Sequence, residues 1–191
     1  QEGDSYFARN SEKLVEMSRS IPQSILFYES FIKPNSRILE IGCSIGHNLN
    51  YLNKKFGCEC FGIDPSTEAI KKGQEQYSDV HLSLGTADKL DFLNEYFDFV
   101  FFGCCLYLTD RNLLTKTIAE ADRVVKDKGY IGVTDFDKKI PSKRPYNHYA
   151  CMMSYKMDYS SLFLVFPHFS LADKICFSLF GETFVTDVKE R

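Results

Sequence analysis

Residues 37–48 read RILEIGCSIGHN, and an acid, Asp64, stands 22 residues beyond the first glycine of that stretch. Ile38, Leu39 and Ile41 form the short apolar run that a fully buried parallel strand needs, and it closes on an acid and a glycine. Gly42 and Gly46 bracket a sharp turn in which the backbone must come close to whatever lies above it. From Ile45 the apolar period becomes helical, with Ile45, Leu49, Leu52 and Phe56 at offsets of four, seven and eleven, and Gly57 is placed to end the helix. Residues 59–63 supply a second strand that ends in Asp64. The pattern is strand, glycine loop, helix, strand, acid.

In a βαβ unit that acid is carried to the mouth of the glycine loop, where it can accept hydrogen bonds from a ribose diol, so the ligand contains adenosine. A dinucleotide fingerprint needs glycine where this chain has Ser44 and His47, which leaves pyrophosphate poorly supported. An acid at the end of the first strand suits a cation better than a phosphate. Glu40, Gly42 and Gly46 resemble the first motif of the class I S-adenosylmethionine-dependent methyltransferases, with Ser44 departing from the usual middle glycine. The resemblance implies S-adenosylmethionine as cofactor and S-adenosylhomocysteine as product, held by Glu40, Gly42, Cys43, Ser44 and Gly46 in the loop. Asp64 and Pro65 follow at the ribose and adenine, then Ala87 and Asp88 at the adenine edge.

The fold expected is α/β, a Rossmann-like doubly wound sheet with strand order near 3-2-1-4-5-(7)-6 and a final antiparallel strand that is incomplete or cut short. Residues 80–84 read as strand three and 97–102 as strand four. The helix of 111–128 carries Leu114, Ile118, Ala121 and Val125 and stops at Gly129, and 130–135 form strand five. Before the glycine loop, Ser20 is placed to cap a helix with Pro22 in its first turn. Ser66 is placed to cap another over 67–76. Late in the chain, Asp158 is placed to cap a short helix over 160–166, and 174–180 read as strand six. A single domain spans 1–191, with 1–20 as a lid segment and 136–172 as a substrate-side insertion too rich in proline and aromatics for a regular element.

Composition bounds the partners. Of 191 residues 26% are charged and 44% apolar with a net charge of −3, which offers no electrostatic footprint for nucleic acid. Seven cysteines include no C-x-x-C pair, so they read as buried thiols of a reducing cytoplasm, with no metal site. No apolar run reaches the roughly 18 residues of a membrane span. The acceptor expected is a small polar molecule, its hydroxyl or amine belonging to a sugar or related metabolite. Residues SYFARN and YKMDYSSLF look similar to small methyltransferases of bacterial surface-sugar biosynthesis.

The same resemblance places Gly103, Cys104 and Leu106 along the methionine part of the cofactor and lets Tyr107 face the acceptor. His148 in the insertion is the first candidate base, with Asp135 at the end of strand five and His47 beside the loop behind it. Three other readings stay open: a non-catalytic methyltransferase-like binding protein, a nicotinamide-dependent reductase, and a methyltransferase acting on protein or RNA. The reductase lacks the three-glycine fingerprint and a Tyr-x-x-x-Lys pair.

Overall fold

In the computed structural model, which describes residues 2–17, 20–149 and 152–177, five strands form one parallel sheet. They are β1 (Arg37–Ile41), β2 (Glu59–Asp64), β3 (His81–Leu84), β4 (Phe97–Gly103) and β5 (Val125–Thr134), in the order β3-β2-β1-β4-β5. Central β1 pairs with β2 on one side and β4 on the other, Leu39 lying opposite Phe61 and Val100. Alternation along the strands divides the core. Ile38, Phe99 and Phe101 pack with Ile25, Leu49, Leu52 and Ile70, whereas Leu39, Ile41, Val100 and Phe102 pack with Leu114, Ile118, Ala121 and Phe163.

Those apolar partners come from α1 (Glu2–Met17), α2 (Gln23–Tyr28), α3 (His47–Phe56), α4 (Thr67–Gln76), α5 (Arg111–Val124) and α6 (Ser160–Phe163), α1 excepted. Ser66 caps α4, its hydroxyl accepting from the amide of Ala69, and Asp110 caps α5 through the amide of Asn112. Gly57 ends α3 at φ 67°.

Several expected boundaries are corrected. Ser20 caps nothing: Pro22 itself, extended at ψ 146°, precedes α2, which stops at Tyr28 and tightens into a 3-10 turn over Glu29–Phe31. The helix expected over 111–128 ends at Val124, and Lys126 to Gly129 belong to β5, where Lys126 reaches Asp98 Oδ1 at 2.6 Å. A basic last turn was the wrong signal, because pairing with β4 overrode helical propensity. The insertion contains a regular element after all, an antiparallel hairpin of β6 (Ser142–Pro145) and β7 (Met153–Lys156). Its proline sits at the last position of a two-stranded ladder, where a missing N–H is tolerated.

Asp158 accepts from the amide of Ser160 at 3.1 Å as expected, although α6 is one turn long. Residues 174–176 lie outside any strand and Phe177 is a single bridge position, so among the described strands β5 is the last of the sheet; 178–180 of the expected strand six fall outside the described residues.

Candidate active site

The carboxyl ends of β1, β2 and β4 meet over the glycine loop. Gly42 at φ 79° and Gly46 at φ 80° take the left-handed turn that lets the chain leave β1 and enter α3. Ser44, which stands where the resemblance has glycine, is also left-handed at φ 49°, and Cys104 beyond β4 is at φ 56°. Two strained non-glycine residues thus border one crevice.

Asp64 ties the crevice together. Its Oδ2 accepts from the amide of Ser44 at 2.8 Å, and its Oδ1 from the amide of Ser66 at 2.9 Å, so one carboxylate spans the glycine loop and the start of α4. Burial raises its pKa, against these two amides that favour the charged form. Glu40 is 2% exposed, and its Oε1 accepts from Asn48 Nδ2 at 2.7 Å. Burial pushes its carboxyl up to about 8, the Asn48 bond opposing it and the charge of Asp64 adding to it. A Cβ built on Gly103 would stand 3.0 Å from Glu40 Oε1, so the end of β4 touches the same carboxylate.

Around this point several buried polar atoms have no partner among the described residues: Glu40 Oε2, Ser44 Oγ, Asn48 Oδ1 and both ring nitrogens of His47. Burial alone lowers the His47 pKa. Unpaired polar atoms cost free energy unless a ligand or water satisfies them. Their chemistry, an acid beside amide and hydroxyl groups, fits the ammonium and carboxylate of an amino-acid moiety.

Other expected residues are spread around this centre. Pro65 is exposed, while Ala87 is half-buried against the core. Asp88 lies 3.4 Å from Lys116 Nζ, and a hydrogen bond from Thr86 together with that cation holds its carboxyl below the usual range. Cys43 and Leu106 are buried, and burial pushes the Cys104 thiol up to about 12. Asp135 accepts from the amides of Phe136 at 2.7 Å and Tyr107 at 3.2 Å, and burial lifts its carboxyl to about 7.

The Tyr107 ring meets Phe136 edge-on at 5.2 Å and Tyr146 at 6.4 Å. His148 is exposed at the hairpin turn and touches the group only through the Tyr146 ring, 5.3 Å away. It stands at the rim, whereas Tyr107 and Asp135 line the interior.

Sequence reading missed Asn48 and gave the N-terminal helix only as a lid segment, without the face it presents. Asn48 gave no signal, since only the first turn of α3 shows that it faces Glu40. In α1, Glu2, Tyr6 and Arg9 lie at offsets of four and seven and so share one helical face. Arg9 pairs with Glu2 and reaches the Tyr146 hydroxyl at 3.4 Å. Tyr6 is exposed as a residue, but its hydroxyl is shielded enough for burial to raise its pKa, with Cys104, Tyr146 and Asp64 adding to the rise. The neighbouring face docks on α4, where Asp4 Oδ1 accepts from Ser66 Oγ at 2.8 Å.

A cavity of about 370 Å3 lies elsewhere, beside β5 between Tyr28, Phe31, Phe163 and Phe169. Its lining mixes apolar side chains with Asp137, Asp158, Asp173 and Lys174, and it meets the crevice at Cys104, Asp135 and Phe136. The unpartnered polar groups near Glu40 lie at the glycine loop, outside the lining of this cavity.

Residues 38–129 match the family described as methyltransferase domain. An uncharacterized protein of Haemophilus influenzae is 31% identical over 103 residues, a match covering 51% of this chain and 41% of that protein. The match therefore spans less than half the length of this curated relative. Among solved structures, the chain is similar to the YcgJ protein of Bacillus subtilis, with 23% identity, a TM-score of 0.54, and 60% of this chain and 51% of that one covered. A TehB-like SAM-dependent methyltransferase of Corynebacterium glutamicum has 14% identity and a TM-score of 0.62 over 85% of this chain and 79% of that one. A SAM-dependent methyltransferase of Thermotoga maritima has 26% identity and a TM-score of 0.52 over 68% and 58%. The Rossmann-like fold is shared with these structures, and residues 38–129 match a methyltransferase domain.

Proposed function

From a methyltransferase domain over residues 38–129, we propose that the chain transfers a methyl group from S-adenosylmethionine to a hydroxyl or amine of a small polar metabolite. The observation that carries this reading is the convergence of Asp64 and the glycine loop beside buried polar atoms that no protein group satisfies. Glu40, Gly42, Cys43, Ser44 and Gly46 hold the amino-acid end. Asp64 and Pro65 hold the ribose side, Ala87 and Asp88 the adenine side, and Gly103, Cys104 and Leu106 the middle. Bound there, the cofactor supplies a methyl group already activated on a sulfonium.

What remains for the protein is to orient the acceptor, exclude water and accept a proton where the acceptor needs it. Asp135, with a carboxyl near 7 and its oxygens steered by two backbone amides, is the group suited to take a proton from a hydroxyl. Tyr107 walls the acceptor beside it, and His148 acts from the rim. α1 is the lid: its Glu2, Tyr6 and Arg9 face bridges from the Asp64 side to Tyr146.

Calorimetric titration with S-adenosylhomocysteine and with NAD tests the cofactor assignment. The homocysteine compound is expected to bind and NAD not, with Asp64→Ala weakening binding by about 1–3 kcal/mol, as for a charge-assisted hydrogen bond. Preferential NAD binding would overturn the reading.

A further inference from the structure

The hairpin of β6 and β7 carries an unusual charge. Residues 138–157 contain Lys138, Lys139, Lys143, Arg144 and Lys156 and no acid, in a chain whose net charge is −3. The register sets Lys156 opposite Ser142 and Arg144 opposite Ser154, so these four side chains share one hairpin face. Lys156 leans over the ring of Phe136, its Nζ 3.7 Å from the centroid, beside the interior group of Cys104 and Asp135.

Among the described residues neither Lys156 nor Arg144 has a carboxylate within salt-bridge distance, and Ser142 Oγ is buried without a partner. The nearby acids Asp137 and Asp158 are engaged by Lys174 at 2.9 and 3.1 Å. Asp135 turns its oxygens to the amides of Phe136 and Tyr107. Burial lowers the Lys156 pKa, and the like charges of Arg144 and Lys138 lower it further. Asp135 and Cys104 oppose this only in part, and cations gathered without a salt-bridging carboxylate repel one another, a cost that an anion placed among them reduces.

We propose that this face, with Lys156, Arg144 and Ser142, is an anion subsite, and that the methyl acceptor carries a carboxylate or a phosphate group seated on it. The proposal rests on the methyltransferase reading for the word acceptor, and on the hairpin alone for the anion. Arg144 meets either group through a fork of N–H donors, Lys156 supplies a point charge, and the Ser142 hydroxyl is free to donate. The anion would hold the acceptor between the hairpin and the end of β5, within reach of Tyr107 and Asp135.

Inorganic phosphate and malonate, titrated separately at constant ionic strength and followed by amide chemical shifts, test this without any acceptor in hand. At least one is expected to saturate. Lys156→Gln and Arg144→Gln are each expected to weaken it by about tenfold, the scale of one charge-assisted contact, and Lys156→Arg to keep it. Arg144 is exposed, so its variant reports even where Lys156→Gln fails to fold. Saturation by phosphate alone or malonate alone names the group recognised. Absence of saturation by both, or undiminished binding in the Arg144→Gln protein, overturns the subsite. Affinity for S-adenosylhomocysteine, measured alongside, is expected to stay unchanged in all three variants, and its absence in the unaltered protein would strike the methyltransferase reading instead.

Discussion

Glu40 concentrates the residue-scale argument. Buried, with one oxygen on Asn48 and the other unpartnered, its carboxyl stands near 8 and is protonated at neutral pH when no ligand is present. A ligand ammonium at Oε2 would favour the charged form and expel that proton. Binding of S-adenosylhomocysteine at pH 7 is therefore expected to release up to about one proton, read as a dependence of calorimetric heat on the ionisation enthalpy of the buffer. Glu40→Gln should abolish the dependence. Equal heats in all buffers for the unaltered protein would contradict the assignment. The acid itself was legible in RILEIGCSIGHN, but its protonation was not, because burial depends on α3 and β4 closing over it.

At the scale of elements, α1 shows how little a polar segment reveals alone. Its stripe of Glu2, Tyr6 and Arg9 is readable from spacing, but the surface it meets is assembled from Asp64, Cys104 and Tyr146, which lie far apart in sequence. Docking rests on a few contacts, Asp4 with Ser66 and Arg9 with Tyr146, and on no large buried apolar face among its described side chains. Removing residues 1–17 is thus expected to leave the unfolding midpoint within a few degrees while weakening S-adenosylhomocysteine about tenfold, as loss of a closing element does. Unfolding of the truncated protein together with lost binding would instead make α1 part of the core. The hairpin escaped sequence reading for a similar reason: residues 142–145 and 153–156 are too short for alternation to show, and only pairing reveals them.

Across the whole molecule, the raised carboxyls of Glu40 and Asp135 tie stability to pH. In the unfolded chain both ionise near 4, whereas in the folded protein they hold their protons to about 8 and about 7. Between those limits the folded state binds more protons, so the stability these groups contribute is complete below about 4 and is lost as pH rises through the folded values. The lowered carboxyls of Asp98 and Glu120 work in the opposite sense, their share already present above about 4.5. The unfolding midpoint of the ligand-free protein should fall from pH 5 to pH 8, and Glu40→Gln with Asp135→Asn should flatten that decline. A midpoint that rises over the range would refute it.

By itself the sequence determined the strand, loop and helix at 37–56, the acid at 64, the strand order 3-2-1-4-5 and the cap at Ser66. The strand order rests on the repeated alternation of strand and helix, and the others are set by residues a few positions apart, through periodicity, glycine conformations and side-chain to backbone bonds. Tertiary structure alone decided where α5 gives way to β5, that among the described residues Lys156 and Arg144 stand together with no carboxylate at salt-bridge distance, and which polar atoms near Glu40 lack partners there. Those properties depend on burial and on groups brought together from distant parts of the chain, and no local pattern encodes how much water a folded crevice excludes.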